Sequence, residues 1–244
     1  MKQIHLKTTA STNDDALRLI RESLVPEKLV IFTQEQTQGR GTRGRVWESP
    51  KQAVLATLVY PISHPLPYYV GVTLSIGVAI ARSLRALGAP VHVKWPNDIV
   101  CRGKKLAGIL VEQAQSQNGQ RALAIGIGLN IELNGERPDR IGLVDLAFLS
   151  AIDCDTLGER LVRAIEECLQ EFELFGFEPT YKSWSDYGAY IGRFVDVFQD
   201  DIRVLSGQLK GINNQGALLI VGTEQEHCVT SGTLRVRKYH DGTC

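Results

Sequence analysis

VHVKWPNDIVCRGKKLAGILVEQAQSQNGQRALAIGIGL, residues 91–129, is the stretch that decides the fold. Segments 91–94, 99–101, 107–113 and 121–129 are apolar and β-branched enough to read as strands. Arg102-Gly103 and Asn118-Gly119 supply turns between neighbours. Successive hairpins predict a largely antiparallel sheet. Upstream, residues 68–87 are apolar on nearly all sides and stop before Gly88, as expected of a helix buried against that sheet. Segments 29–33 and 53–60 read as further strands, joined by the long polar, glycine-punctuated loop 34–50.

The outer parts of the chain complete the picture. Ser11 to Asp15 form a capping sequence ahead of Ala16, Leu17, Ile20 and Leu24, which share one face of an amphipathic helix. A second amphipathic helix is expected over 155–175, on the spacing of Leu157, Leu161, Ile165, Cys168, Leu169 and Phe172. Asp155 is its expected cap, and Gly176 and Pro179 its stop. Beyond Gly188 the texture changes to short alternating strands at 194–198, 202–205, 208–212, 217–221, 227–230 and 233–237, which suggest a small barrel. The expectation is an α+β protein with a larger domain over 1–188 and a smaller one over 189–244, closely packed because no long linker separates them.

Composition narrows the function. Lys plus Arg and Asp plus Glu both number 27, so no global field draws the molecule onto nucleic acid or an anionic membrane, and any anion site is local. No run approaches signal-peptide or membrane-spanning length, and Cys101, Cys154, Cys168, Cys228 and Cys244 are scattered without zinc-ligand spacing. A cytoplasmic protein with reduced thiols is expected.

Local chemistry gathers in five segments. Gly39-Arg40-Gly41-Thr42-Arg43-Gly44-Arg45 sits in the long loop, and residues 39–51 carry four basic side chains against one acidic. Glycines let backbone amides approach an anion and guanidinium groups pair with phosphate, although a solvated basic loop is an equal reading. No Gly-Lys-Ser/Thr follows, so this is not a Walker loop. Lys94-Trp95-Pro96-Asn97-Asp98 groups a cation, an amide and a carboxylate at a turn, suited to a magnesium-bound phosphate or to nothing more than the turn. Lys104-Lys105-Leu106-Ala107-Gly108 places lysine at a strand mouth, either to neutralise developing charge or to protect a sheet edge. Ser11-Thr12-Asn13 is a helix cap that can also face a ligand. Gly126-Ile127-Gly128-Leu129-Asn130 opens one strand face, for a flat ligand or for a packed neighbour.

In this order, STN, the GRGTRGR loop from Gln36 to Arg45, KWPND, KLAGILVE and GIGLN resemble the biotin protein ligases through most of residues 10–130. INNQGALLI at 212–220 resembles that family's carboxy-terminal barrel. The resemblance implies a catalytic domain like that of class II aminoacyl-tRNA synthetases, a mixed sheet with flanking helices, followed by an SH3-like barrel. It also implies ATP-dependent formation of biotinyl-adenylate and transfer of biotin to a lysine of a carboxylase's biotin carboxyl carrier domain. By the same resemblance Ser11, Thr12, Asn13, Gln36, Arg40, Gly41, Thr42 and Lys105 bind biotin, with Lys105 and Arg40 as the catalytic pair. ATP falls to Gly39, Arg40, Arg43, Arg45, Lys94, Trp95, Asn97, Asp98 and Asn130, and Mg2+ to Asp98.

Two departures stand out. The family loop usually reads GRGRxGR, whereas Thr42 occupies the second arginine position here with Arg43 beside it. Some members place a tryptophan against adenine within the segment matching 131–146, but this chain's tryptophans are Trp47, Trp95 and Trp184. With STN beginning at residue 11, no helix-turn-helix is expected ahead of it, and neither DNA nor membrane binding is expected. Family members often pair through sheet edges, which leaves a homodimer open. Lipoate ligase is the runner-up activity, and a non-catalytic binder of biotin or nucleotide is the alternative from another class.

Overall fold

The computed structural model describes residues 1–23, 26–146, 153–223 and 225–237; Leu24 and Cys244 lie outside the described residues. Seven strands form the larger sheet: β1 (Lys2–Thr9), β2 (Leu29–Gln36), β3 (Gln52–Pro61), β4 (Val91–Lys94), β5 (Asp98–Cys101), β6 (Lys104–Gln115) and β7 (Arg121–Glu132). Their order is β1-β2-β3-β7-β6-β5-β4, with β1 parallel to β2 and every other pair antiparallel. The sheet is therefore mixed, through β1, a strand that the sequence pattern does not predict.

β7 shows why the sheet carries a helix on each face. Leu123, Ile125, Ile127, Leu129 and Ile131 alternate with Ala122, Ala124, Gly126, Gly128 and Asn130. The large set joins the main core with α2 (Val72–Arg85) and α3 (Cys154–Phe175), while Ala122 and Ala124 pack with Ala16, Leu17 and Ile20 of α1 (Thr12–Glu22). Small side chains let α1 lie close to the sheet, and larger ones there would cost about 1–3 kcal/mol in overpacking. Toward the start of α1 the same face continues as Gly126, against Asn13, and then Gly128 and Asn130, and there the sheet opens into a cleft.

Helix boundaries differ from expectation for local reasons. The segment expected as one helix over 68–87 divides into a 3-10 turn, Leu66–Tyr69, and α2, because Gly71 between them adopts a left-handed φ of 86°. α3 is capped by Asp153, whose carboxylate accepts from the Thr156 amide at 2.9 Å; Asp155 lies inside the first turn, where its charge suits the helix dipole. α3 ends at Phe175 as expected, but Pro179 then sits in the first turn of α4 (Glu178–Tyr187), where a missing N–H costs nothing.

The second sheet holds β8 (Phe194–Gln199), β9 (Ile202–Ile212), β10 (Leu218–Val221), β11 (Glu226–Val229) and β12 (Thr233–Val236), all antiparallel in the order β11-β10-β9-β8-β12. Segments expected as separate strands at 202–205 and 208–212 are one strand. Gly207 marks a close approach of the Val221 backbone there, not a turn. Trp95, Trp184, Val195, Val197, Leu209, Leu218 and Leu234 share one continuous core with α2 and α3, so the two sheets are packed as a unit.

Candidate active site

A cleft of about 660 Å³ lies where the start of α1, the loop before β3, the β4–β5 turn, the mouth of β6 and the glycines of β7 converge. The 230–233 loop of the second sheet closes one side. Every site residue expected from the sequence lines this cleft except Gly39. Gly39 instead faces the Trp47 carbonyl, where a Cβ would come within 2.5 Å, so it serves the shape of the loop.

One end is polar and hydrogen-bonding. Ser11 caps α1 through the Asp14 amide, and Ser11, Thr12 and Asn13 are all buried. The Gln36 side-chain oxygen Oε1 accepts from both the Thr12 amide (2.9 Å) and the Thr12 hydroxyl (3.1 Å). Thr57 Oγ1 lies 2.7 Å from Thr12 Oγ1 and from Asn13 Oδ1. Such a network fixes side-chain directions, because leaving any member unpaired in a buried site costs about 1–3 kcal/mol.

The floor is glycine. Gly108 of β6 pairs with Gly128 of β7; a Cβ on Gly128 would run into the Trp47 indole, and one on Gly108 would sit tightly, 3.2 Å from the indole and from Lys105 Nζ. Trp47 lies over both, with Lys105 Nζ 5.5 Å from its ring centre. Its Nε1 and Arg40 Nε are buried side-chain nitrogens without a hydrogen-bond partner among the described residues.

The other end is cationic. Lys105 Nζ pairs with Asp98 Oδ1 at 2.6 Å, and Arg43, Arg45, Lys94 and Arg140 line the same wall. Arg45 also donates to Thr233 of the second sheet at 2.8 Å. Burial pushes the Lys94 ammonium below its usual 10.5; nearby Asp98 opposes that, while Lys105, Arg45 and Arg235 add to it. Its charge is therefore lost earlier, as pH rises, than that of an exposed lysine. If Lys94 holds phosphate, the KM for ATP rises on the alkaline side, and Lys94→Arg, which stays protonated, moves that rise to higher pH. Identical pH profiles would remove Lys94 from nucleotide binding.

Three expected nucleotide ligands are partly committed elsewhere. The Trp95 indole donates to the Gly216 carbonyl (3.0 Å), the Asn97 amide to Ile109 (2.9 Å), and the Asn130 amide to Lys105 (3.4 Å) and Ile141 (3.3 Å). Each keeps a surface in the cleft. Sequence reading missed Trp47, Thr57, Arg140 and the 230–233 loop. Trp47 directly after the basic loop was a usable signal, whereas the long-range approach of 230–233 leaves none.

Residues 6–131 match the model of the biotin/lipoate A/B protein ligase family, over half of the sequence. The chain belongs to that family. It is 34% identical over 194 residues to the bifunctional ligase/repressor BirA of Escherichia coli, covering 78% of this chain but 60% of BirA. The biotin–[acetyl-CoA-carboxylase] ligase of Paracoccus denitrificans is 28% identical over 231 residues, covering 89% of this chain and 93% of that one. Among solved family structures, the biotin protein ligase from Aquifex aeolicus in complex with biotin and ATP superposes with a TM-score of 0.79. It is 25% identical, over 97% of this chain and 99% of the other.

Proposed function

We propose that this protein is a biotin protein ligase, activating biotin with ATP to biotinyl-5'-adenylate and passing biotin to a lysine of a biotin carboxyl carrier domain. The observation that carries the reading is the polarity of the cleft. A hydrogen-bonding end (Ser11, Thr12, Asn13, Gln36), where Arg40 is paired with Glu112 and Asp14, and a cationic end (Lys94, Arg45, Lys105, Arg140) flank a glycine floor roofed by Trp47. This suits a ligand with a polar, uncharged ring system and a carboxylate that must meet phosphate. The Aquifex protein, in complex with biotin and ATP, and the Paracoccus ligase support it.

In the first step a carboxylate oxygen of biotin attacks the α-phosphorus of ATP, and the bond to the departing pyrophosphate breaks. In the second, the unprotonated amine of the acceptor lysine attacks the acyl carbon and AMP leaves. Lys105 stands where carboxylate and phosphate would meet, and its work is to hold two mutually repelling anions in line and to balance charge at phosphorus. Mg2+ would enter on the triphosphate. Among the described residues no group of three His, Cys, Asp or Glu forms a separate metal cage. Asp98 with phosphate oxygens suits magnesium's habit of using one or two carboxylates. In this proposal residues 1–188 form the catalytic domain, with the aminoacyl-tRNA synthetase-like arrangement, and 189–244 the SH3-like barrel. The free thiols of Cys101, Cys154, Cys168 and Cys228 accord with a cytoplasmic setting.

Pyrophosphate release with MgATP and biotin, lipoate or octanoate supplied separately tests the reading. Turnover with biotin alone is the expected result; turnover with lipoate assigns the chain to the lipoate branch, and silence with all three leaves a binding protein. The Thr42 departure adds a further expectation. Thr42 and Arg43 both line the cleft, and Arg43 adopts a left-handed φ of 59° at the loop tip. Thr42→Arg should retain the adenylate longer, by about tenfold for one added charge-assisted hydrogen bond. Equal release rates for the two proteins would show that Arg43 already closes the loop.

A further inference from the structure

Three of the binding segments meet at one carboxylate outside the cleft lining. Glu112, on β6, accepts from Arg40 through both oxygens, at 3.0 and 2.8 Å, and from the Asn13 amide at 2.9 Å. Asp14 takes a further hydrogen bond from Arg40 at 2.6 Å. Arg40 thereby spends its charge within the protein, on side chains of α1 and β6. Arg40 also forms the base of a small hairpin: it bridges to Val46, and the Trp47 amide donates to the Gly39 carbonyl at 2.8 Å. Trp47, at the far side of that base, is the side chain that covers the Gly108–Gly128 floor.

We propose that Glu112 is a positioning residue for the biotin half-site, presetting Asn13 and holding the 39–47 hairpin closed through Arg40. The inference rests on the biotin reading for its substrate, but the mechanical part stands on the contacts alone. A fork of charge-assisted hydrogen bonds fixes both distance and orientation, which a single neutral bond does not. When it is weakened, part of the ligand's binding free energy goes into closing the hairpin, and apparent affinity falls in proportion to the closed fraction. Once the cleft is filled and closed, Lys105 and the phosphate-facing cations are where they were, so the chemical step is unchanged. Glu112 acts on substrate capture, and Arg40 is the arm through which it acts.

Glu112→Gln keeps one acceptor oxygen but loses the charge and the second acceptor; Glu112→Asp keeps the charge one methylene short. The Gln variant is expected to raise the KM for biotin by about 10- to 100-fold, with kcat for pyrophosphate release within about twofold of the parent. The Asp variant should fall between them. In the absence of any ligand, trypsin should cut Glu112→Gln after Arg43 and Arg45 about tenfold faster than the parent, while its thermal midpoint stays the same. A fall in kcat at unchanged KM would place Glu112 with the reacting groups and overturn the proposal. Unchanged loop cleavage would overturn it as well. Should the parent release no pyrophosphate with biotin, the functional reading fails by itself, and the ligand-free cleavage still decides the role of Glu112.

Discussion

Lys105→Ala is expected to lower pyrophosphate release with ATP and biotin by about 100- to 1,000-fold, the usual cost of removing one well-placed donor at a reacting centre. The lysine sits at the mouth of β6. Its backbone is pinned on both sides, by its amide to the Asp139 carbonyl (2.8 Å) and by its carbonyl to the Ile141 amide (3.0 Å). Its side chain is two-thirds covered, with the ammonium between Asp98 and the Trp47 ring. Losing it takes from Asp98 its ion-pair partner and removes a cation where a triphosphate must bind, so the KM for ATP should rise together with the fall in kcat. Lys105→Arg keeps the charge but not the point geometry and should recover part of the rate. Normal adenylation by Lys105→Ala, with fold confirmed by circular dichroism, would remove this residue from the chemistry.

Trp95→Ala is expected to destabilise the protein by about 3–5 kcal/mol, the range for deleting a large buried aromatic. Its indole is 4% exposed, belongs to the core shared by the two sheets, and donates to the Gly216 carbonyl in the turn before β10. At this chain length that loss corresponds to a fall in Tm of roughly 6–20 °C. Trp95→Phe should lose much less, since it keeps most of the packing and gives up one hydrogen bond of about 1 kcal/mol. Urea titration followed by far-UV circular dichroism measures both. A loss below about 1 kcal/mol for the alanine variant would mean that the two sheets are held together elsewhere.

The hairpins of β4 to β7 were legible because turn dipeptides and β-branched runs are local signals. The site residues expected from the ordered motifs all reach the cleft except Gly39, whereas Arg140 and the 230–233 loop lie outside those motifs. What stayed hidden depended on distant partners. β1 is polar on alternate residues and becomes a strand only by pairing in parallel with β2, a contact between segments more than twenty residues apart. α4 was concealed by Pro179, which reads equally as a stop or as a first-turn residue. The strand expected to break between 205 and 208 runs through, with Gly207 a site of close backbone approach to Val221. The union of Asn13, Arg40 and Glu112 joins positions as far apart as 99 residues, and no local pattern announces it.

The most direct test of the central claim is acceptor labelling. The protein, MgATP and biotin are incubated with an unmodified biotin carboxyl carrier domain, and the product is read by intact mass and peptide mapping. The account predicts a single biotinyl group on one carrier lysine, dependent on ATP and abolished when that lysine is replaced by arginine. A carrier that stays unmodified, or a chain that activates lipoate and leaves biotin untouched, would contradict it.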